Sequence, residues 1–154
     1  MAALLNLTGA QTSNRANYER EYARKQMPRV LLSTGEAFYE GLSGTGDSDN
    51  ILAGEAVSPG IAEGRIRVIL DPQGARLEPG EILVCPSTNP GWTPLFLTAS
   101  ALIMEIGGVM THGSIVAREY GIPAVVGVHN ATTRLKTGQR VRVDGSSGEV
   151  TIFE

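Results

Sequence analysis

From Ile51 onward the chain is a succession of short apolar or alternating runs, each closed by glycine or proline. Arg65–Leu70 (RIRVIL) begins as an alternation, as a half-buried strand does, and the DPQG after it is a turn. Glu81–Cys85 (EILVC) follows the turn Pro79–Gly80 and reads as a buried strand. Ala101–Ile106 (ALIMEI) is a second apolar run of strand character, ended by Gly107 and Gly108. Between them, Trp92–Ala99 suits a short helix begun near Pro94. Ser114–Tyr120 is helical and stops at Gly121, a residue at ease in the left-handed turn after a helix. Ala124–Val128 follows Pro123 as a strand. Gln139–Asp144, the turn GSSG and Glu149–Phe153 predict a terminal hairpin. Strands interleaved with short helices over roughly 100 residues define an α/β fold with a mixed sheet. The helices are too few for a full doubly wound fold.

Upstream the character differs. Residues 13–28 (SNRANYEREYARKQMP) are strongly charged and lack a wide apolar face, which predicts a solvated helix ending before Pro28. Residues 29–42 are mixed. Residues 43–50 (SGTGDSDN) offer no apolar anchor and read as a flexible linker. The expected organisation is an N-terminal extension over 1–50, helical and partly flexible, and a folded domain over 51–154. Residues 43–50 are expected to be more mobile than the domain, and 1–12 disordered. With 42% hydrophobic residues in 154, the chain can bury a core. No apolar run approaches the ~18 residues of a membrane span, and the N-terminus lacks the charged and apolar regions of a signal peptide. Thirteen basic against 16 acidic residues leave a net charge of -3, which argues against a nucleic-acid partner. The single cysteine, Cys85, forms no internal disulfide, and a reducing, cytoplasmic setting is expected.

Chemistry concentrates in Gly107–Val128, GGVMTHGSIVAREYGIPAVVGV. A strand, a Gly-Gly turn and a helix put His112 at or just before a helix N-terminus, where free N–H groups and the positive end of the dipole lie. Gly113 admits close backbone approach, and Thr111 and Ser114 add hydroxyl donors. Such a place suits an anion beside an imidazole, or a phosphoryl group carried on the imidazole itself. A histidine there also serves as a plain polar cap. No metal site is expected: the only other histidine is His129, and neither histidine has Cys or carboxylate ligands at metal-binding spacing. A serine hydrolase is disfavoured, since no G-x-S-x-G elbow occurs. Cys85 and Trp92 are expected in the core and His129 in solvent. Glu105 reads as an exposed strand-end acid, with orientation of His112 as the alternative.

The same stretch resembles the phosphohistidine signature of the phosphoenolpyruvate-utilising enzymes, which include phosphoenolpyruvate synthase, pyruvate phosphate dikinase, Enzyme I of the sugar phosphotransferase system and rifampicin phosphotransferase. The matching residues are Gly107, Gly108, His112, Gly113, Ser114, Ala117, Arg118, Gly121, Ile122, Pro123, Ala124 and Gly127. Cys85–Phe96 (CPSTNPGWTPLF) resembles the Thr-x-Pro-x-Trp-x-Pro stretch of synthase-like members, and the likeness runs over roughly 51–154. The resemblance implies a swivelling β/β/α domain in which His112 is the phosphoryl carrier. Thr88, Gly107, Gly108, Thr111, Gly113, Ser114 and Arg118 would support the phosphate or the histidine. It implies two partner domains, in the same full-length chain or in separate subunits. One is an ATP-grasp domain holding ATP and Mg²⁺. The other binds the acceptor, pyruvate or another molecule. No cofactor is expected in this domain, and the isolated chain, without a P-loop or a carboxylate pair for Mg²⁺, is predicted neither to bind ATP tightly nor to hydrolyse it. An Enzyme I-type carrier fed by phosphoenolpyruvate, and a non-catalytic module keeping the fold, are the alternatives. One position departs from many dikinases: Met110 stands where they have Thr, which counts against regulation by phosphorylation there. The length leaves no room for either partner domain, so the chain is read as a fragment, an excised domain or a small subunit.

Overall fold

The computed structural model describes the backbone of Val30–Leu31 and Ala37–Phe38 and the whole of residues 50–153. The charged helix expected over 13–28, the expected disorder of 1–12 and the linker over 43–50 lie outside these residues, save Asn50. The chain divides into two units, Met1–Tyr39 and Glu40–Glu154. In the first, strands β1 (Val30–Leu31) and β2 (Ala37–Phe38) pair antiparallel, Val30 opposite Phe38.

The second unit holds the remaining elements. They are β3 (Ile51–Ala53), β4 (Glu55–Ser58), β5 (Ile61–Val68), β6 (Ile82–Cys85), a 3₁₀ turn (Pro90–Trp92) running into α1 (Thr93–Phe96), β7 (Ala101–Met104), α2 (His112–Tyr120), β8 (Ala124–Val126), α3 (Ala131–Arg134), β9 (Arg140–Asp144) and β10 (Glu149–Phe153). The strands follow the order β3-β10-β9-β5-β6-β7-β8-β4. β5 belongs to two sheets. Ile61–Arg65 pair antiparallel with β9, and Ile66–Val68 pair parallel with β6. β6, β7 and β8 continue in parallel, with Cys85 beside Met104 and Leu102 beside Ala124. The predicted mixed sheet is thus an antiparallel layer joined through one strand to a parallel one, whose far edge, β4, runs antiparallel to β8.

Side-chain alternation explains the layering. Ile82, Val84, Ala101, Ile103 and Val125 pack in one cluster with Leu52, Val141, Val143 and Val150 of the antiparallel strands. Their neighbours Leu83, Cys85, Leu102, Met104, Ala124 and Val126 pack in the other, with Trp92, Phe96 and Ala117 of the helical side. The parallel strands are therefore buried on both faces, as their continuous apolar runs require. The result is a three-layer β/β/α sandwich. Burial pushes the Cys85 thiol well above its ordinary range.

A single residue, Gly54, separates β3 from β4, which lie at opposite ends of the strand order. Its N–H donates to Gly148 O at 2.8 Å, and a Cβ there would meet Val126 O at 2.6 Å. Only glycine lets the chain turn this corner between the layers.

Several bounds differ from the sequence reading. β5 begins at Ile61 rather than Arg65, and Leu70 lies past its end, 68% exposed. β7 ends at Met104 and β8 at Val126, before Gly127 with φ 68°. β3, β4 and α3 have no counterpart in it, being three- or four-residue elements without a readable period.

Candidate functional site

The site forms where the parallel strands end. β6 and β7 lie side by side, so the loop after Cys85 and the loop after Met104 emerge together. This is the usual position for a site in a parallel sheet. The first loop brings Thr88, the second Gly107–Thr111.

Gly107 and Gly108 are buried, and a Cβ on Gly107 would meet Met104 Cε at 3.0 Å and Val126 Cβ at 3.2 Å. The Gly108 carbonyl then organises the entry into α2. It accepts from Thr111 N at 3.0 Å, from Thr111 Oγ1 at 2.9 Å and from Ser114 Oγ at 2.7 Å. The two hydroxyls are 3.0 Å apart. Thr111 and Ser114, read from sequence as donors for an anion, both turn inward and lock the loop to the helix start.

Thr111 is the N-cap of α2, yet its side chain makes no capping bond, and the first turn carries no acidic residue. The first-turn N–H groups therefore have no side-chain acceptor. His112 is the first helical residue and is half-buried. Its Nδ1 lies 3.5 Å from Thr88 Oγ1, and its ring stands 6.2 Å from that of Phe96, tilted by 45°. Gly113, buried beneath the same threonine, makes the close packing possible: a Cβ there would meet Thr88 Oγ1 at 2.5 Å. Ile106, Val109, Met110 and Ile115 are exposed apolar side chains of the same loop and helix, Met110 to 75%.

Arg118 sits further along α2. Its guanidinium donates to Val57 O at 3.2 Å and to Val109 O at 2.7 Å. It straps the loop and α2 to β4. Glu105 accepts from Thr132 N at 2.9 Å and from the Thr132 hydroxyl, so it serves the first turn of α3 rather than His112. His129 is exposed, with Nε2 2.8 Å from Asn130 Nδ2. Trp92 is 3% exposed, in the core. Among the described residues no three His, Cys, Asp or Glu side chains form a group able to hold a metal, and no helix is long and apolar enough to cross a membrane.

Two contributors were missed in the sequence. Phe96 lies inside the Cys85–Phe96 stretch already singled out. Met104 had a signal only in combination, as the last residue of a buried strand adjacent to the one leading to Thr88.

A β/β/α sandwich presenting a histidine on an uncapped helix start, at the carboxyl end of its parallel strands, is the class to which this molecule belongs. Residues 77–148 match the family model of the PEP-utilising enzyme mobile domain, and the chain belongs to that family. Rifampicin phosphotransferase of Streptomyces sviceus is 50% identical over 134 residues, 87% of this chain and 15% of that protein. Phosphoenolpyruvate synthase of Aeropyrum pernix is 45% identical over 106 residues, 68% of this chain and 13% of that protein. The chain thus spans about a sixth or less of these relatives' length. A structure of Thermococcus kodakaraensis aconitase X superposes with a TM-score of 0.54 at 30% identity, covering 68% of this chain and 98% of that one. The fold thus accompanies differently named activities, so function has to be argued from the His112 loop.

Proposed function

We propose that this domain is a phosphoryl carrier and that His112 is the residue that bears the group. The observation that carries the reading is the placement of His112 as the first residue of a helix whose cap side chain makes no capping hydrogen bond and whose first turn holds no carboxylate. The relatives named phosphotransferases support it.

Nδ1 faces Thr88, so Nε2 is the nitrogen offered to a donor. Its lone pair attacks phosphorus, the N–P bond forms, and the P–O bond to the leaving group breaks with its electrons going to that oxygen. The new group brings about two negative charges, which the first-turn amides and the helix dipole are placed to receive. In the return step an acceptor oxygen attacks the phosphorus and the N–P electrons go back to the ring. The donor is ATP, held with Mg²⁺ at an ATP-grasp domain, and the acceptor is pyruvate or another acceptor molecule at a second domain. In this reading Gly107, Gly108, Thr111 and Ser114 shape the loop, Gly113 admits Thr88, and Arg118 holds the assembly from behind through carbonyls.

The test is transfer of labelled phosphorus from ATP in the presence of the donor domain. An acid-labile, base-stable label on the unmodified chain, absent from His112→Ala, is expected. Label persisting in His112→Ala would overturn the assignment. A non-catalytic module would take no label from any donor.

A further inference from the structure

Beside the histidine lies one side chain that the transfer chemistry leaves unused. Met104 ends β7, is 1% exposed, and reaches Thr88 with its sulfur. Thr88 Oγ1 donates to Met104 Sδ at 3.6 Å, an ordinary length for a bond to the larger sulfur atom. The same oxygen lies 3.5 Å from His112 Nδ1, which is long for O···N. A hydroxyl has one hydrogen and two lone pairs. With the hydrogen directed at sulfur, only lone pairs face the ring. A bare Nδ1 would then oppose lone pair to lone pair, so Nδ1 carries the hydrogen and Nε2 is left with the free pair.

We propose that Met104 is a positioning residue whose thioether, acting through the Thr88 hydroxyl, holds His112 as the Nδ1–H tautomer and so keeps Nε2 nucleophilic. If Thr88 instead donated to Nδ1, the hydrogen would sit on Nε2 and the proposed attacking pair would be blocked. The buried sulfur gives the hydroxyl another place to donate. Leucine would fill nearly the same volume without an acceptor. Gly113 preserves the arrangement, since a Cβ there would meet Met104 Sδ at 2.7 Å as well as the Thr88 oxygen. The consequence for transfer rests on the carrier reading, whereas the tautomer itself does not.

The experiment is long-range proton–nitrogen correlation on the ¹⁵N-labelled chain at alkaline pH, which reads the two ring nitrogens of His112 without any donor. In the unmodified protein Nδ1–H is expected to predominate. Met104→Leu should shift the ratio toward Nε2–H by about threefold, the effect of losing one modest hydrogen bond. Thr88→Val should also lose the preference, while Thr88→Ser should keep it. An Nε2–H majority in the unmodified protein overturns the proposal whether or not any variant folds. An unchanged ratio in folded Met104→Leu overturns it equally. Failure of the phosphorylation test with the tautomer preference intact would remove the carrier function and leave this device standing.

Discussion

At Gly113 an added methyl group would lie 2.5 Å from Thr88 Oγ1 and 2.7 Å from Met104 Sδ. Alanine gains about 1 kcal/mol over glycine as a helix former, but crowding in a packed interior typically costs about 1–3 kcal/mol. Gly113→Ala is therefore expected to lower the thermal midpoint, and a midpoint at or above that of the unmodified protein would contradict the packing described. The placement of His112 was legible in sequence because a Gly-Gly turn and a helix with its stop at Gly121 bracket it within a few residues. The partners of its neighbours were not. Thr111 and Ser114 were recognisable as donors, but that both would converge on the Gly108 carbonyl depends on a loop path no spacing rule encodes. Arg118 bonds a carbonyl 61 positions away, at Val57, a contact that only tertiary folding creates.

Among the elements, the junction of β5 and β6 is fastened by a two-pronged ion pair. Arg67 Nε lies 2.6 Å from Glu81 Oε2 and Nη2 2.7 Å from Oε1, and Glu78 N donates to the same Oε2 at 2.9 Å. The Arg67 hydrogen bonds hold the Glu81 carboxyl below the usual carboxylate range, despite some opposition from burial. A carboxyl whose pKa falls on folding stabilises the fold above its unfolded pKa, and that stabilisation disappears as pH drops through the folded value. Glu81→Gln should therefore lower the thermal midpoint at neutral pH, and the gap from the unmodified protein should close as acid protonates Glu81. A gap constant from neutral to strongly acidic pH would count against the pair. The strands β6, β7 and β8 were legible as elements, short as they are, because burial on both faces leaves a continuous apolar run. β3, β4 and α3 were not, since their mixed burial leaves no continuous apolar run and three or four residues are too short to display a period.

In the whole domain, β3 pairs with β10 among the described residues, Ile51 opposite Thr151 and Ala53 opposite Glu149. Removing residues 149–154 should leave β3 without its β10 partner and β9 with β5 alone beside it, and the shortened chain is expected to lose its cooperative thermal transition. Retention of a sharp transition near the original midpoint would show that β10 and its pairings are dispensable. The α/β class and the mixed sheet followed from the sequence, but the division into two layers through a shared β5 did not, because hydrophobic pattern tells which residues are buried and not against which sheet.

The Ile51–Thr151 pairing also fixes a schedule for biosynthesis. A strand made near the start of the domain waits for a partner made at the domain's far end, so nascent β3 leaves the ribosome with an open backbone edge and Leu52 unburied. Sheet closure at this segment has to wait until β10 has been made and has emerged. Until then the segment shares the general hazard of strands that await a distant partner, mispairing with another chain.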